Sequence, residues 1–414
     1  MAEDSKSTAR MSSRERTIVV LLVISVIVNY VDRSNLSLAV PLIQRQFTLS
    51  PLQIGSLLSA FFWTYALMQI SGVAGWLSDR LPVGWVLVGG YVLWSSATVA
   101  TGMVSSFSAI YAARLILGVG ESVAYPCYSR VFAELPQEHR GRANALIDAG
   151  TKLGPSIGAL VGGMLLVHFG WRLLFILLGT GGLLWLLPWI RVMPRIERRV
   201  EPSSAGSLPS IVKLLQVKSA WGTFLGHFCG NYFFYFLLAW LPNYLVGEEK
   251  MSIGSMSRLT SAVFLLIAAS TLVTGWASDR LIASGISPTR VRRTAVVGGL
   301  GVASSLLALA FIQRNLLLSM IVIAVACAGY GVFASNHWAI SQTLAGPAMA
   351  GRWTSVQNGV ANLSGIVAPW VAGLIVQVKG SSRLAFVLTG GVALAGALLW
   401  ALLVQRVEPV QWDA

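Results

Sequence analysis

Charge is scarce in this sequence. Asp, Glu, Lys and Arg make up only 11% of its 414 residues, against about a quarter in a soluble globular chain. That scarcity excludes an ordinary soluble domain and equally excludes a charged disordered chain. Cysteine is nearly absent too. Cys127, Cys229 and Cys327 lie far apart in apolar surroundings, so no disulfide framework or C-x-x-C metal site is expected, and the three read as small buried hydrophobes. No loop presents a nucleophile with a base, metal-ligand spacing or a phosphate-binding glycine turn. The expectation is therefore no enzyme, no metal and no cofactor, with no soluble domain attached. Acids are the rarer charge, 16 against 30 bases, for a formal net charge of +14. Such a balance raises nucleic acid as a partner, but the positions of the bases argue for a membrane instead.

What is abundant is apolar sequence: 55% of residues are hydrophobic and the mean hydropathy is +0.70. Twelve apolar segments are expected, near 18–40, 51–77, 84–104, 107–131, 140–167, 172–192, 220–246, 254–281, 293–312, 316–342, 352–377 and 383–405. In lipid such segments must be helices, because a backbone there has to satisfy its own hydrogen bonds. The 41 glycines suit close packing between them. If the chain starts inside, inner segments hold 20 of the 30 Lys and Arg and outer segments 7, leaving Arg33, Arg114 and Lys152 in the membrane. The positive-inside rule thus places both termini in the cytoplasm. The polar stretch through Thr17 precedes an apolar run too long for a signal-peptide core, so no cleavage is expected. The absence of any long outer loop leans toward a bacterial inner membrane, with lipid as the surrounding partner and no nucleic acid.

The chain repeats itself. GWLSDRL at 75–81 returns as GWASDRL at 275–281, and GRANALIDAG at 141–150 has a weaker echo in GRWTSVQNGV at 351–360. Residues 1–192 read as one six-helix bundle and 219–414 as a second, joined by a cytoplasmic linker at 193–218. Duplicated six-helix halves describe an all-α, twelve-helix transporter of the major facilitator type. In each repeat the Asp-Arg pair follows a helix end, where it can latch to neighbouring ends.

The few charges inside the apolar segments are the functional candidates, since an unpaired Asp or Arg at mid-bilayer costs about 2.5–3.5 kcal/mol on insertion scales. They are Asp32 and Arg33 on the first helix, Arg114 and Glu121 on the fourth, Asp148 and Lys152 on the fifth. Asn29, Arg33 and Ser37 share one stripe at i, i+4, i+8. Arg114 and Glu121, seven apart, can both look into one central cavity, with Gly118 leaving that face open. Asp148 and Lys152, an acid then a base at i, i+4, can close on themselves or meet a ligand. The second half offers neutral polar groups: Asn231 and Tyr235 on the seventh helix, FASNHWAISQ at 333–342, and a stripe of Ser355, Asn358 and Asn362. Cations facing hydroxyls, amides and a Trp suit a small polar organic anion. His227 and His337 read more readily as packed rings than as proton switches, and His139 and His168 as helix-end residues.

The stretches NYVDRSNLSLAVPLIQRQFTLSPLQIGSLLSAFFWTYAL (29–67), R-x-x-x-G-x-x-E-x-x-x-Y-P (114–126) and AWLPNYL (239–245) resemble the anion:cation symporter family of the major facilitator superfamily. Its bacterial members carry galactonate, glucarate and hexuronates, and the vesicular glutamate and sialic acid carriers are more distant relatives. The resemblance implies proton-coupled symport of a sugar acid (an aldonate, aldarate or hexuronate) by alternating access, in a monomer. It implies Arg33 as the carboxylate ligand, with hydroxyls of Tyr30 and Tyr65 beside it. Asp32 and Glu121 become the proton-coupling carboxylates and Arg114 the cation that tunes them. Ser335, Trp338 and Asn358 become sugar-acid contacts. Lys152 departs from the pattern, where a neutral polar residue is usual; a second cation suits a dicarboxylate or an aromatic acid. Two alternatives stand beside symport: an exchanger or efflux carrier of organic or aromatic acids in the same fold, and a transporter-like sensor or membrane enzyme.

Overall fold

The computed structural model describes residues 11–135, 137–193, 211–310 and 315–412. Among these the regular structure is helical. The spans are α1 (Ser13–Phe47), α2 (Pro51–Ile70, continued by Val73–Arg80), α3 (Val83–Met103), α4 (Phe107–Ala133), α5 (143–169), α6 (171–192), α7 (Lys218–Gly247), α8 (Ile253–Ala283), α9 (Pro288–Ala310), α10 (Leu316–Gly346), α11 (Met349–Lys379) and α12 (Arg383–Leu403). α5 and α6 run into one another, yet 50 residues of helix would be about 75 Å long, far more than one bilayer. The break is Gly170, at φ 73° and ψ 175°, a conformation glycine adopts without a Cβ penalty. Gly346, at φ 62°, turns the chain between α10 and α11 in the same way. Sequence also sets the starts. Ser12 with Glu15, and Ser50 with Gln53, form reciprocal capping boxes, and Pro51 opens α2 where its missing N–H costs nothing. With α5 and α6 separated at Gly170 and α2, bent by 59° near Gly72, taken as one span, the described residues make twelve crossings, as expected. Of the linker expected at 193–218, residues 194–210 lie outside the described residues; a short helix, Ile211–Gln216, precedes α7.

The two halves repeat in packing as well as in sequence. α3 crosses α4 where Gly90 meets Gly120, and α9 crosses α10 where Gly299 meets Gly329; in both places a Cβ would stand 2.7 Å from the facing glycine's carbonyl oxygen. Thr64 on α2 donates to the Leu115 carbonyl on α4 (2.6 Å), and Ser270 on α8 donates to the Ala328 carbonyl on α10 (2.7 Å). α5 lies on α1 through Gly150, Gly154, Gly158 and Gly162, a four-residue repeat that seats against Val26, Tyr30, Ser34 and Asn35. Small residues at that spacing let two backbones approach closely in lipid.

The halves meet through α2 on α11, α5 on α8 and α1 on α7. Gly55 lies against Pro369 and Gly373, the Leu52 amide donates to Gln377 Oε1 (3.1 Å), and Ser156 Oγ lies 3.0 Å from Ser261 Oγ. These contacts close one end of the molecule. At the other end Arg14 donates to the carbonyls of Val192 (3.2 Å) and Met193 (2.9 Å), and the Val407 amide donates to Thr289 Oγ1 (3.0 Å). Both described chain ends therefore lie on one face, as an even number of crossings requires.

Candidate functional site

A cavity of about 2010 Å³ runs between the halves. Its walls include Asp79, Arg130 and Glu134 at the ends of α2 and α4, and Gly351 and Arg352 at the start of α11, so it opens on the face that carries both chain ends. Its floor includes Tyr30, Arg33 and Tyr65. The volume exceeds the few hundred to a thousand Å³ of a closed ligand pocket, which marks it as an open vestibule. At its rim Arg130 pairs with Asp79 at 3.1 Å, joining the ends of α4 and α2. The latch expected of the first Asp-Arg repeat is thus made by its aspartate.

Arg33 is the centre of the floor. Its Nε donates to Glu121 Oε2 at 2.9 Å, with both side chains buried. The guanidinium carbon stands 4.7 Å from the ring centres of Tyr30 and Phe61 and 4.8 Å from that of Tyr65. A desolvated cation held over three aromatic faces is attracted by each. The resemblance puts hydroxyls of Tyr30 and Tyr65 beside Arg33; both rings stand against the guanidinium, and Tyr65 also interacts with it through its hydroxyl. Arg33 Nη2 is buried with no hydrogen-bond partner among the described residues. Beyond Arg33, toward the closed end, a void of about 20 Å³ is lined by Arg33, Ser37, Arg114, Tyr235 and apolar side chains, large enough for about one water.

Asp32, Arg114 and Glu121 form a buried polyelectrolyte layer behind the floor. Asp32 lies within electrostatic reach of Glu121 and Arg114, and Arg114 within reach of both acids and Arg33. Three sequence readings change here. Arg114 and Glu121 do not line the main cavity, because Arg33 and its aromatic cage stand between. Of the stripe of Asn29, Arg33 and Ser37 only Arg33 lines the main cavity: Asn29 is buried off it, and Ser37 donates to the Ser34 carbonyl (2.7 Å). Gly118 leaves no space either; it is the seat for α2, in contact with the Phe61 carbonyl and Thr64.

The walls hold the other candidates. Lys152 Nζ donates to Asp148 Oδ1 at 2.6 Å and both residues line the cavity, so the pair closes on itself while facing the space. Ser335, Trp338, Asn358, Ser355 and Asn231 line the C-half wall. Tyr235 donates to Asn362 Oδ1 (2.9 Å), and Asn362 Nδ2 donates to the Asn358 carbonyl (2.8 Å), a polar string along that wall. His227 and His337 are not isolated rings. Their centroids are 4.4 Å apart, each is about 5 Å from the Trp338 ring, and both line the cavity. No spacing in the sequence signals this pair, since the rings come from helices 110 residues apart.

Comparison with known proteins agrees with this architecture. The Major Facilitator Superfamily model matches residues 22–369 and 251–414. The chain is 29% identical to the D-galactonate transporter of Escherichia coli O6:H1, over 98% of this chain and 99% of that one. It is 28% identical to the hexuronate transporter of Bacillus subtilis, over 94% of each, and 27% identical to a probable galactarate/D-glucarate transporter of the same organism, over 95% and 92%. Solved structures of a bacterial homologue of the human lysosomal transporter Spinster share the fold, with a TM-score of 0.78 and 18% identity, covering 94% of this chain and 97% of that one in the unoccupied form. Twelve crossings in two repeated halves around a one-sided cavity, together with a family match across nearly the whole chain, make this protein a member of the Major Facilitator Superfamily, a membrane transporter and not an enzyme.

Proposed function

We propose that the protein is a proton-coupled symporter that takes up a small sugar acid as its anion, working as a monomer in a bacterial inner membrane with both termini cytoplasmic. Residues 1–192 and 219–414 are the two bodies that rock about the substrate, joined through 193–218. The three bacterial relatives are transporters of galactonate, hexuronate and galactarate or glucarate by name, which supports that substrate class. The observation that carries the mechanism is the Arg33–Glu121 pair. Glu121 is a resident carboxylate on the best anion ligand of the cavity floor. A substrate carboxylate that reaches Arg33 must compete with it.

Charge balance then couples the anion to a proton. Around the floor the cations Arg33, Arg114 and Lys152 are matched by the acids Asp32, Glu121 and Asp148. An arriving anion leaves this low-dielectric layer one charge negative. A displaced carboxylate with no partner is costly there, and taking up a proton neutralises it. Glu121 accepts that proton first, with Asp32 beside it as the second carrier. The hydroxyls and amides of Ser335 and Asn358, and the Trp338 ring, hold the polyol chain. By linkage, lowering the pH tightens anion binding, about tenfold per unit where one proton is bound.

Proteoliposomes with an imposed pH gradient test this. Wild type should concentrate a sugar acid. Glu121→Gln, fixed in the neutral form, should still exchange internal for external substrate while losing accumulation. Accumulation that persists in both Glu121→Gln and Asp32→Asn would remove these carboxylates from coupling.

A further inference from the structure

The His227–His337 pair is a buried titratable cluster that the coupling scheme leaves unused. His337 is 4% exposed, and its Nδ1 is 3.0 Å from the Ala334 carbonyl. A carbonyl only accepts, so Nδ1 carries the proton. In the neutral ring Nε2 is then a bare lone pair, and it is buried without a partner among the described residues. His227 Nδ1 is 3.3 Å from Gln357 Nε2. The two rings stand side by side on the cavity wall, beside the Trp338 indole. The charged groups within electrostatic reach of the rings are Lys152 and Asp148 on α5. This corner is distinct from the Arg33 cage: α5, α7 and α10 build it, whereas α1, α2 and α4 build the cage.

Resting on the sugar-acid reading, we propose that Lys152 with His337 and His227 forms a second carboxylate-binding centre, so that the preferred substrate carries a carboxylate at each end. One carboxylate displaces Glu121 from Arg33. The other takes Lys152 from Asp148 and is met by a protonated His337, because a neutral ring offers that carboxylate only a lone pair at Nε2. The proton is drawn from water as the second carboxylate arrives, and the balance is one proton per carboxylate. Named relatives include carriers of both a monocarboxylate and a dicarboxylate, so similarity alone does not choose between them; the extra cation and the His pair do. A monocarboxylate ending in a hydroxyl could donate to neutral Nε2, but it would leave Lys152 on Asp148.

The probes are a six-carbon aldarate and the aldonate of the same stereochemistry, bound to full-length detergent-purified protein, with the affinity ratio as readout. Wild type should prefer the aldarate by about tenfold or more, the scale of a hydrogen-bonded charge contact. Lys152→Gln and His337→Gln should each pull the ratio toward one, while Lys152→Arg keeps it. The aldarate preference of wild type should also grow as pH falls, and His337→Gln should flatten that growth. A ratio of one in wild type, or a ratio unchanged in both Lys152→Gln and His337→Gln, overturns the second centre. Wild type that binds neither acid overturns the sugar-acid reading itself. Thermal melting of each variant separates lost folding from lost recognition, and His337→Asn provides a smaller replacement if His337→Gln does not fold.

Discussion

Arg33 and Glu121 show how a membrane interior keeps a cation available for work. The pair is buried, but it neutralises itself and wraps its cation in three rings, so it persists without an external ligand. Its two members are unequal under mutation. Arg33→Gln removes the cation and its three ring contacts and strands Glu121, which must take up a proton or stay charged in a buried site, and should cost about 3–5 kcal/mol, whereas Glu121→Gln retains an acceptor for Arg33 Nε and should cost less. Thermal unfolding in detergent ranks them; equal losses would contradict the asymmetry. Arg33→Lys keeps the charge but loses the planar fork and most of the ring stacking, so anion affinity should fall about tenfold or more. Much of this site is legible in the sequence because Asp or Arg in an apolar segment needs a reason. Charge alone marks Arg33 and Lys152, the family resemblance adds Tyr30, Tyr65, Ser335, Trp338 and Asn358, and all seven line the cavity. What spacing along one helix cannot show is which polar residues face the space and which stand behind. That depends on the neighbouring helix, and for Glu121 and Arg114 the aromatic cage on α1 and α2 decides it.

At the scale of elements, glycine carries most of the packing information. The α5 stripe of Gly150, Gly154, Gly158 and Gly162 brings α1 close enough for Tyr30 and Arg33 to reach the floor beside Lys152's helix. A Cβ at Gly154 would meet Tyr30 Cβ at 2.5 Å and the Ile27 carbonyl at 3.0 Å. Gly154→Val should therefore destabilise by about 1–3 kcal/mol or more through overpacking. Gly298 on α9 has nothing within 4 Å of an added Cβ, so Gly298→Ala should be neutral or stabilise by up to about 1 kcal/mol. Melting temperatures of the two variants check the contrast, and a neutral Gly154→Val would mean that α1 and α5 can part without loss. Glycine is also where sequence is hardest to read. Gly118 reads as an opening, yet the same absence of a side chain equally permits contact, and here α2 fills it. The spans themselves are legible from hydropathy, because lipid leaves a segment of that length no alternative to helix.

For the whole molecule, the consequence of two repeated halves is that a cavity open at one end needs a seal at the other. The seal is α2 on α11 and α5 on α8, pairs that exchange with each other when the halves are swapped. If the halves rock as rigid bodies, these contacts part when the opposite face opens, while the Asp79–Arg130 pair, internal to the first half, stays intact. Leu52 and Gln377 report on the seal directly, since the Leu52 amide donates to Gln377 Oε1 at 3.1 Å. The native thiols do not interfere, because Cys127, Cys229 and Cys327 are all buried. Leu52→Cys with Gln377→Cys, bridged by a short thiol cross-linker, should hold the seal shut and abolish transport. Each single-cysteine variant treated in the same way should keep it. The bridged protein should still bind substrate from the face that carries the chain ends, because the cavity remains open there, and cleaving the linker should restore transport. If the bridged protein transports at the rate of the unbridged one, the α2–α11 contact is not part of the gate, and the two halves do not open around it.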